Sequence, residues 1–130
     1  MEFTEWMGIE WENAPENTAR LALKLREEHM SRANRVHGGV LFTLLDTALG
    51  TAVVKSLERG RGCATLELKI NYFRPIQEGT IRAEGRLVNR SRRTAYAEGE
   101  VVNEEGKILA KASGTFFITD TMLQSERERL

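Results

Sequence analysis

The sequence predicts an α+β domain in which an antiparallel sheet is wrapped around one long buried helix. Two observations carry this. Apolar and polar residues alternate in most segments of the chain, the period of a half-buried strand, while Val40 to Leu57 changes to an i, i+3/i+4 spacing. Runs of strands around a single helix, joined by short connections, indicate α+β rather than the regular alternation of α/β folds.

In chain order, residues 6–13 read as a first short strand, closed by the turn-forming run Asn13-Ala14-Pro15-Glu16-Asn17. Residues 18–26 alternate Leu21, Leu23 and Leu25 against Arg20, Lys24 and Arg26. The helical stripe comprises Val40, Leu41, Leu44, Leu45, Ala48, Leu49, Ala52 and Val53, and Phe42 and Val54 widen it; a helix apolar nearly all round is expected in a core. Gly60-Arg61-Gly62 ends that segment. Residues 64–73 set Leu66, Leu68, Ile70 and Tyr72 against Thr65, Glu67, Lys69 and Asn71, and Arg74-Pro75 stops the run. Strands 80–89, 93–102 and 107–118 follow, separated by Arg90-Ser91-Arg92 and by Asn103-Glu104-Glu105-Gly106. Short connections favour an antiparallel meander of these last four strands. The polar tail ending in SERERL reads as one frayed helical turn at most.

A length of 130 residues fits one domain, residues 1–130, with 1–5 and 119–130 as flexible tails. Nineteen basic residues balance nineteen acidic ones, so no whole-molecule field draws the chain to nucleic acid or to an anionic membrane. The lone Cys63 excludes an internal disulfide and any bis-cysteine metal motif. With only His29 and His37 and no H-E-x-x-H pattern, no metal is expected. The start has no apolar signal-peptide core, and Val40 to Val54 is shorter than a membrane span, so the expected location is cytoplasmic. G-x-S-x-G, P-loop and G-x-G-x-x-G patterns are absent.

One acid stands out. Asp46 sits in the middle of the most apolar segment, among Leu44, Leu45, Ala48 and Leu49. A buried carboxylate is costly without partners or a purpose, and the alternative is a place on the least buried side of the helix. Upstream, His37-Gly38-Gly39 marks the helix start, where glycines leave backbone amides open to close approach at the positive end of the helix dipole. The run from Arg82 to Arg93 holds Arg82, Arg86, Arg90, Arg92 and Arg93 against Glu84, either a solvated hairpin face or a place for phosphate.

Together, His37-Gly38-Gly39, six further residues and Asp46-Thr47-Ala48 resemble the signature of hotdog-fold acyl-CoA thioesterases of the phenylacetyl-CoA (PaaI) type. The likeness continues through Asn71-Tyr72-Phe73-Arg74-Pro75, similar to the family's aromatic-x-R-P strand end, and the element order agrees from about residue 6 to 118. The resemblance implies a hotdog fold and hydrolysis of an aryl or medium-chain acyl-CoA to free acid and CoA, with no cofactor beyond the CoA of the substrate. It implies that Asp46 attacks the thioester carbonyl or activates water, that the Gly38 amide polarises the carbonyl oxygen beside Gly39, that His37 shapes the pocket, and that Thr65 orients water. Relatives carry N-x-x-G before H-G-G; here Ser31 stands at the Asn position and Asn34 at the Gly position, where Asn tolerates the left-handed conformation. Arg90, Arg92 and Arg93 are the candidate grips for CoA phosphates.

Gly38 and Asp46 are eight positions apart, and at ~1.5 Å rise per residue they lie ~12 Å apart along one helix. A reacting carbonyl must sit within ~3 Å of both its oxyanion donor and its attacking group. If both act, they come from two chains, which makes the expected assembly a homodimer with shared active sites. The resemblance implies further pairing into a homotetramer. Two other functions fit the same resemblance: a hotdog dehydratase or hydratase on acyl thioesters, and a non-catalytic acyl-CoA-binding domain, which the substitution at Ser31 keeps open.

Overall fold

The computed structural model describes residues 1–120. The elements are a short helix α1 (Phe3–Met7), strands β1 (Glu10–Glu12) and β2 (Thr18–Lys24), a 3-10 turn (Glu27–His29), the long helix α2 (Gly38–Lys55), and strands β3 (Gly62–Tyr72), β4 (Thr80–Arg90), β5 (Thr94–Val102) and β6 (Ile108–Thr119). All six strands form one antiparallel sheet in the order β1-β2-β4-β5-β6-β3, and α2 packs across one face of it.

This departs from the expected meander in one place. Strands β4, β5 and β6 follow one another, but β3 pairs with β6 instead of β4, because β4 gives its other edge to β2. The connection from Phe73 to Gly79 therefore crosses the sheet and leaves β3 as an edge strand. At the N-terminus, residues expected as tail and strand start form α1, capped by the Glu2 carboxylate on the amides of Thr4 and Glu5. Met7 of α1 is buried, and Arg26 ties the turn down through the carbonyls of Met7 and Trp6. That leaves β1 only three residues. Of the expected C-terminal tail, Thr119 closes β6 and Asp120 meets Arg61, while residues 121–130 lie outside the described residues.

The core fills the space between α2 and the sheet. Val40, Leu41, Leu44, Leu45, Ala48, Leu49, Ala52 and Val53 are buried against Leu21, Leu23, Ile81, Val101, Phe116 and Ile118, each large aliphatic side chain stabilising the fold by roughly 1.5–3 kcal/mol. The helix comes close at two paired glycines. A Cβ on Gly85 would lie 2.5 Å from the Ala48 carbonyl, and one on Gly99 would lie 2.8 Å from Leu49 Cδ1. No side chain fits there, so the backbone of α2 rests on that of β4 at Gly85, and the Leu49 side chain takes the space over Gly99 of β5.

The sheet covers only one side of α2. The opposite stripe stays partly open: Phe42 is exposed, and Thr43, Asp46, Thr47, Gly50 and Val54 are half-buried. Helix α2 is long and apolar enough to cross a membrane by length and composition, yet its apolar stripe is consumed by the core.

Candidate active site

Asp46 lies on that open stripe, one element away from Thr65, whose hydroxyl donates to the Asp46 carboxylate at 2.7 Å. Simple alternation along residues 64–73 puts Thr65 on the face opposite Leu68, Ile70 and Tyr72, turned away from the helix. A β-bulge reverses this. Thr65 pairs with Phe116 and Glu67 with Thr115, so Leu66 is the extra residue and points outward, 61% exposed. The phase of the strand slips by one at Leu66. Thr65 thereby shares the inner face with Leu68, Ile70 and Tyr72, whose partners Gly114, Ala112 and Ala110 line the buried side.

The N-terminus of α2 is built around two glycines. His37 is the N-cap: its Nδ1 accepts the Gly39 amide at 2.8 Å and its carbonyl accepts the Val40 amide at 2.9 Å. The His37 amide in turn donates to the carbonyl of buried His29 at 2.9 Å. Tyr72, the last residue of β3, donates its hydroxyl to the Gly38 carbonyl at 2.7 Å. A Cβ on Gly38 would stand 3.2 Å from that hydroxyl, so a side chain there would press on the Tyr72 ring. The Gly38 N–H has no acceptor among the described residues. Partial burial pushes the Tyr72 hydroxyl above the usual phenol range, so it stays a protonated donor.

A cleft of about 340 Å³ opens at this helix end, lined by Gly38, Leu41, Tyr72, Phe73 and Ile76, with Arg35 and Arg74 beside them. Neither arginine has an acidic partner among the described residues, so the cleft pairs an apolar wall with two uncompensated cations. Leu41 and Gly38 come from α2, Arg35 from the loop that leads into it, and the rest from the end of β3 and the β3–β4 connection.

The expected site residues divide accordingly. Asp46 and Thr65 are joined, and His37, Gly38 and Gly39 form one cap. Asn34 takes φ +59°, the left-handed conformation expected of it, and its carbonyl accepts from Gln77. Ser31 stays within its own loop: its hydroxyl accepts from the Ala33 amide at 3.2 Å. Arg90 departs most. Its guanidinium lies on the Glu58 carboxylate at 3.1 Å and on the Ser56 carbonyl at 3.2 Å, tying the β4–β5 hairpin to the C-terminal end of α2, opposite Gly38. Arg82 pairs with Glu12 and Arg86 with Glu84 and Glu100, so the basic run is largely neutralised; Arg92 and Arg93 remain exposed without an acidic partner among the described residues. Sequence reasoning missed Tyr72, Arg35 and Arg74 as parts of the cleft. The aromatic-x-R-P stretch at the end of β3 carried the signal for two of them. Among the described residues, no group of three or more His, Cys, Asp or Glu could hold a metal ion.

The thioesterase superfamily profile matches residues 33–110, which span α2, β3, β4 and β5. A medium/long-chain acyl-CoA thioesterase of Escherichia coli, YigI, is 27% identical over 133 aligned residues, covering 91% of this chain and 86% of that protein. The phenylacetic acid degradation protein PaaI of Thermus thermophilus, solved as a point mutant, is 33% identical with a TM-score of 0.80, over 88% of this chain and 96% of its own. A conserved Pseudomonas aeruginosa protein of known structure shares 33% identity and a TM-score of 0.84, over 88% and 91% of the two chains.

Proposed function

The chain belongs to the thioesterase superfamily, and from that membership we propose which residues cleave the thioester and how two copies share the work. The protein is an acyl-CoA thioesterase: water adds to the carbonyl, the C–S bond breaks, and free acid and CoA leave. The acyl group in our reading is aryl or medium-chain, supported by the names of the E. coli and Thermus relatives. The work falls in the cytoplasm, which suits a chain with a single cysteine.

The observation that carries the residue assignment is the Thr65–Asp46 hydrogen bond on the open side of α2. Thr65 occupies one carboxylate oxygen and leaves the other for the reaction. Asp46 then either attacks the carbonyl or takes the proton of the attacking water, and in both routes negative charge gathers on the carbonyl oxygen. The uncommitted Gly38 amide, at the positive end of α2, is the group that meets that charge; a preorganised donor there is worth ~3–4 kcal/mol in the transition state. Arg35 and Arg74 replace Arg90 as the foremost candidates for the CoA phosphates, with exposed Arg92 and Arg93 behind them.

One α2 cannot bring Asp46 and Gly38 onto a single carbonyl, so the proposed unit is a homodimer. The free edge of β3 supports it. Thr65 is tethered to Asp46 and Tyr72 to Gly38, so pairing β3 antiparallel with its copy must set Thr65 across from Tyr72 of the partner subunit. With Leu66 bulged out, that register keeps both residues on the inner face and places the two-fold axis on Lys69. Pairing of dimers into a tetramer is the remaining part of this reading.

Thiol release from a panel of acyl-CoAs tests the activity, and a binding domain without turnover would show none. Complementation tests the sharing: Asp46→Ala and Gly38→Pro are each expected to be inactive. When the two are refolded together, roughly a quarter of wild-type activity returns, because half the dimers are mixed and each holds one intact site. No recovery from folded, exchanging subunits would put both groups in one chain or remove one of them.

A further inference from the structure

We propose that Tyr72 is a positioning residue whose hydroxyl locks the Gly38–Gly39 peptide so that the Gly38 N–H stays aimed into the cleft. This rests on the reading of Gly38 as the donor to the thioester carbonyl. The need for a lock follows from the residues themselves. Two consecutive glycines open α2, and glycine has the softest backbone of any residue. The first amides of a helix have no i−4 carbonyl to hold them. A donor that must be preorganised thus sits on the part of the helix least able to organise itself.

The surroundings supply what the local sequence lacks. The Gly38–Gly39 peptide is gripped at both ends, its carbonyl by Tyr72 at 2.7 Å and its N–H by His37 Nδ1 at 2.8 Å. The preceding peptide is held through the His37 carbonyl, which accepts from Val40 at 2.9 Å. With the units on both sides restrained, the Gly38 N–H is left without a partner among the described residues. Tyr72 is itself anchored, because the next two amides, of Phe73 and Arg74, donate to the Leu109 carbonyl at 2.8 and 3.3 Å. The chain of restraint runs from β6 through the end of β3 to the oxyanion donor.

Tyr72→Phe removes the hydroxyl and keeps the ring. A fully lost oxyanion donor costs about 10²–10³ in kcat, so a loosened one is expected to cost about tenfold, with KM within about twofold of wild type. A packing role would not move a second readout, which compares two CoA analogues: a ketone with methylene in place of the sulfur, and an S-alkyl thioether without the carbonyl. Wild type should bind the ketone more tightly, and Tyr72→Phe should shrink that preference several-fold while leaving thioether affinity unchanged. If wild type prefers the ketone and Tyr72→Phe keeps both the preference and kcat, Tyr72 does not position the donor. Equal weakening of both analogues likewise overturns the proposal, in favour of general damage to the cleft. If wild type binds the two analogues equally, the Gly38 assignment itself falls, and Tyr72 falls with it.

Discussion

The two edges of the sheet are built to opposite ends. β1 is three residues, Glu10-Trp11-Glu12, short and doubly acidic, and such an edge resists pairing with another chain. β3 is eleven residues long, with Leu66 exposed at its bulge, and it carries both tethers of the candidate site, Thr65 to Asp46 and Tyr72 to Gly38. One edge is closed off by charge and brevity; the other is long, open and attached to the chemistry. In the proposed dimer, the second copy joins along β3 and not along β1.

The sharpest break of that contrast is at Asp46, the group for which the β3 edge matters. Asp46→Asn is expected to keep the fold and acyl-CoA binding while kcat falls ~10²–10⁴-fold in a thiol-release assay; activity within a few-fold of wild type would take Asp46 out of the mechanism. A smaller effect separates the edges themselves. Leu66→Asp on β3 should raise the dimer dissociation constant about tenfold or more, roughly 1.4 kcal/mol, whereas Trp11→Asp on β1 should leave it unchanged by sedimentation. In a Cys63→Ser background, Lys69→Cys should cross-link to its own copy on oxidation, and failure to do so would move the two-fold axis along the strand.

The cations give a third, milder test. Arg74→Ala should raise KM for acyl-CoA about three- to tenfold, less so at high salt, with kcat held. Arg90→Ala should leave KM alone, because its charge is already spent on Glu58. The smallest effect belongs to that pair. A hydrogen bond from its own backbone amide, then those from Arg90 and Arg61, lower the Glu58 carboxyl from 4.5 to about 2. A depressed carboxyl stabilises the fold above its unfolded value and loses that contribution as pH falls toward its folded one. Glu58→Gln should therefore cost a little stability at pH 6, a cost that shrinks below pH 4.5 and is gone only once pH has fallen through about 2, and because Glu58 is fully exposed, salt should erase much of the difference.

Much of the fold was legible because it is written in periods. The stripe from Val40 to Val53 specifies α2, and the alternation of residues 18–26 specifies β2. The helix start at His37-Gly38-Gly39 was readable from local residue chemistry, and the left-handed Asn34 followed from its place at the family's Gly position. Helix α1 was missed: its cap is Glu2, outside the usual capping residues, and its buried anchor Met7 meets its partners only in the folded chain.

By itself, then, the sequence determined the long helix and most of the strands, and it singled out the acid at Asp46 and the glycines at the helix end, all from properties of neighbouring residues. Three matters were decided only in the tertiary structure. Strand β3 pairs with β6 because β2 occupies the edge of β4 that a meander needs. Arg90 ties down the end of α2 because folding brings Glu58 beside it, thirty-two residues away in the chain. Thr65 faces Asp46 because a bulge at Leu66 shifts the strand by one residue, and a period of two read from the sequence cannot register a slip that exists only against the partner strand.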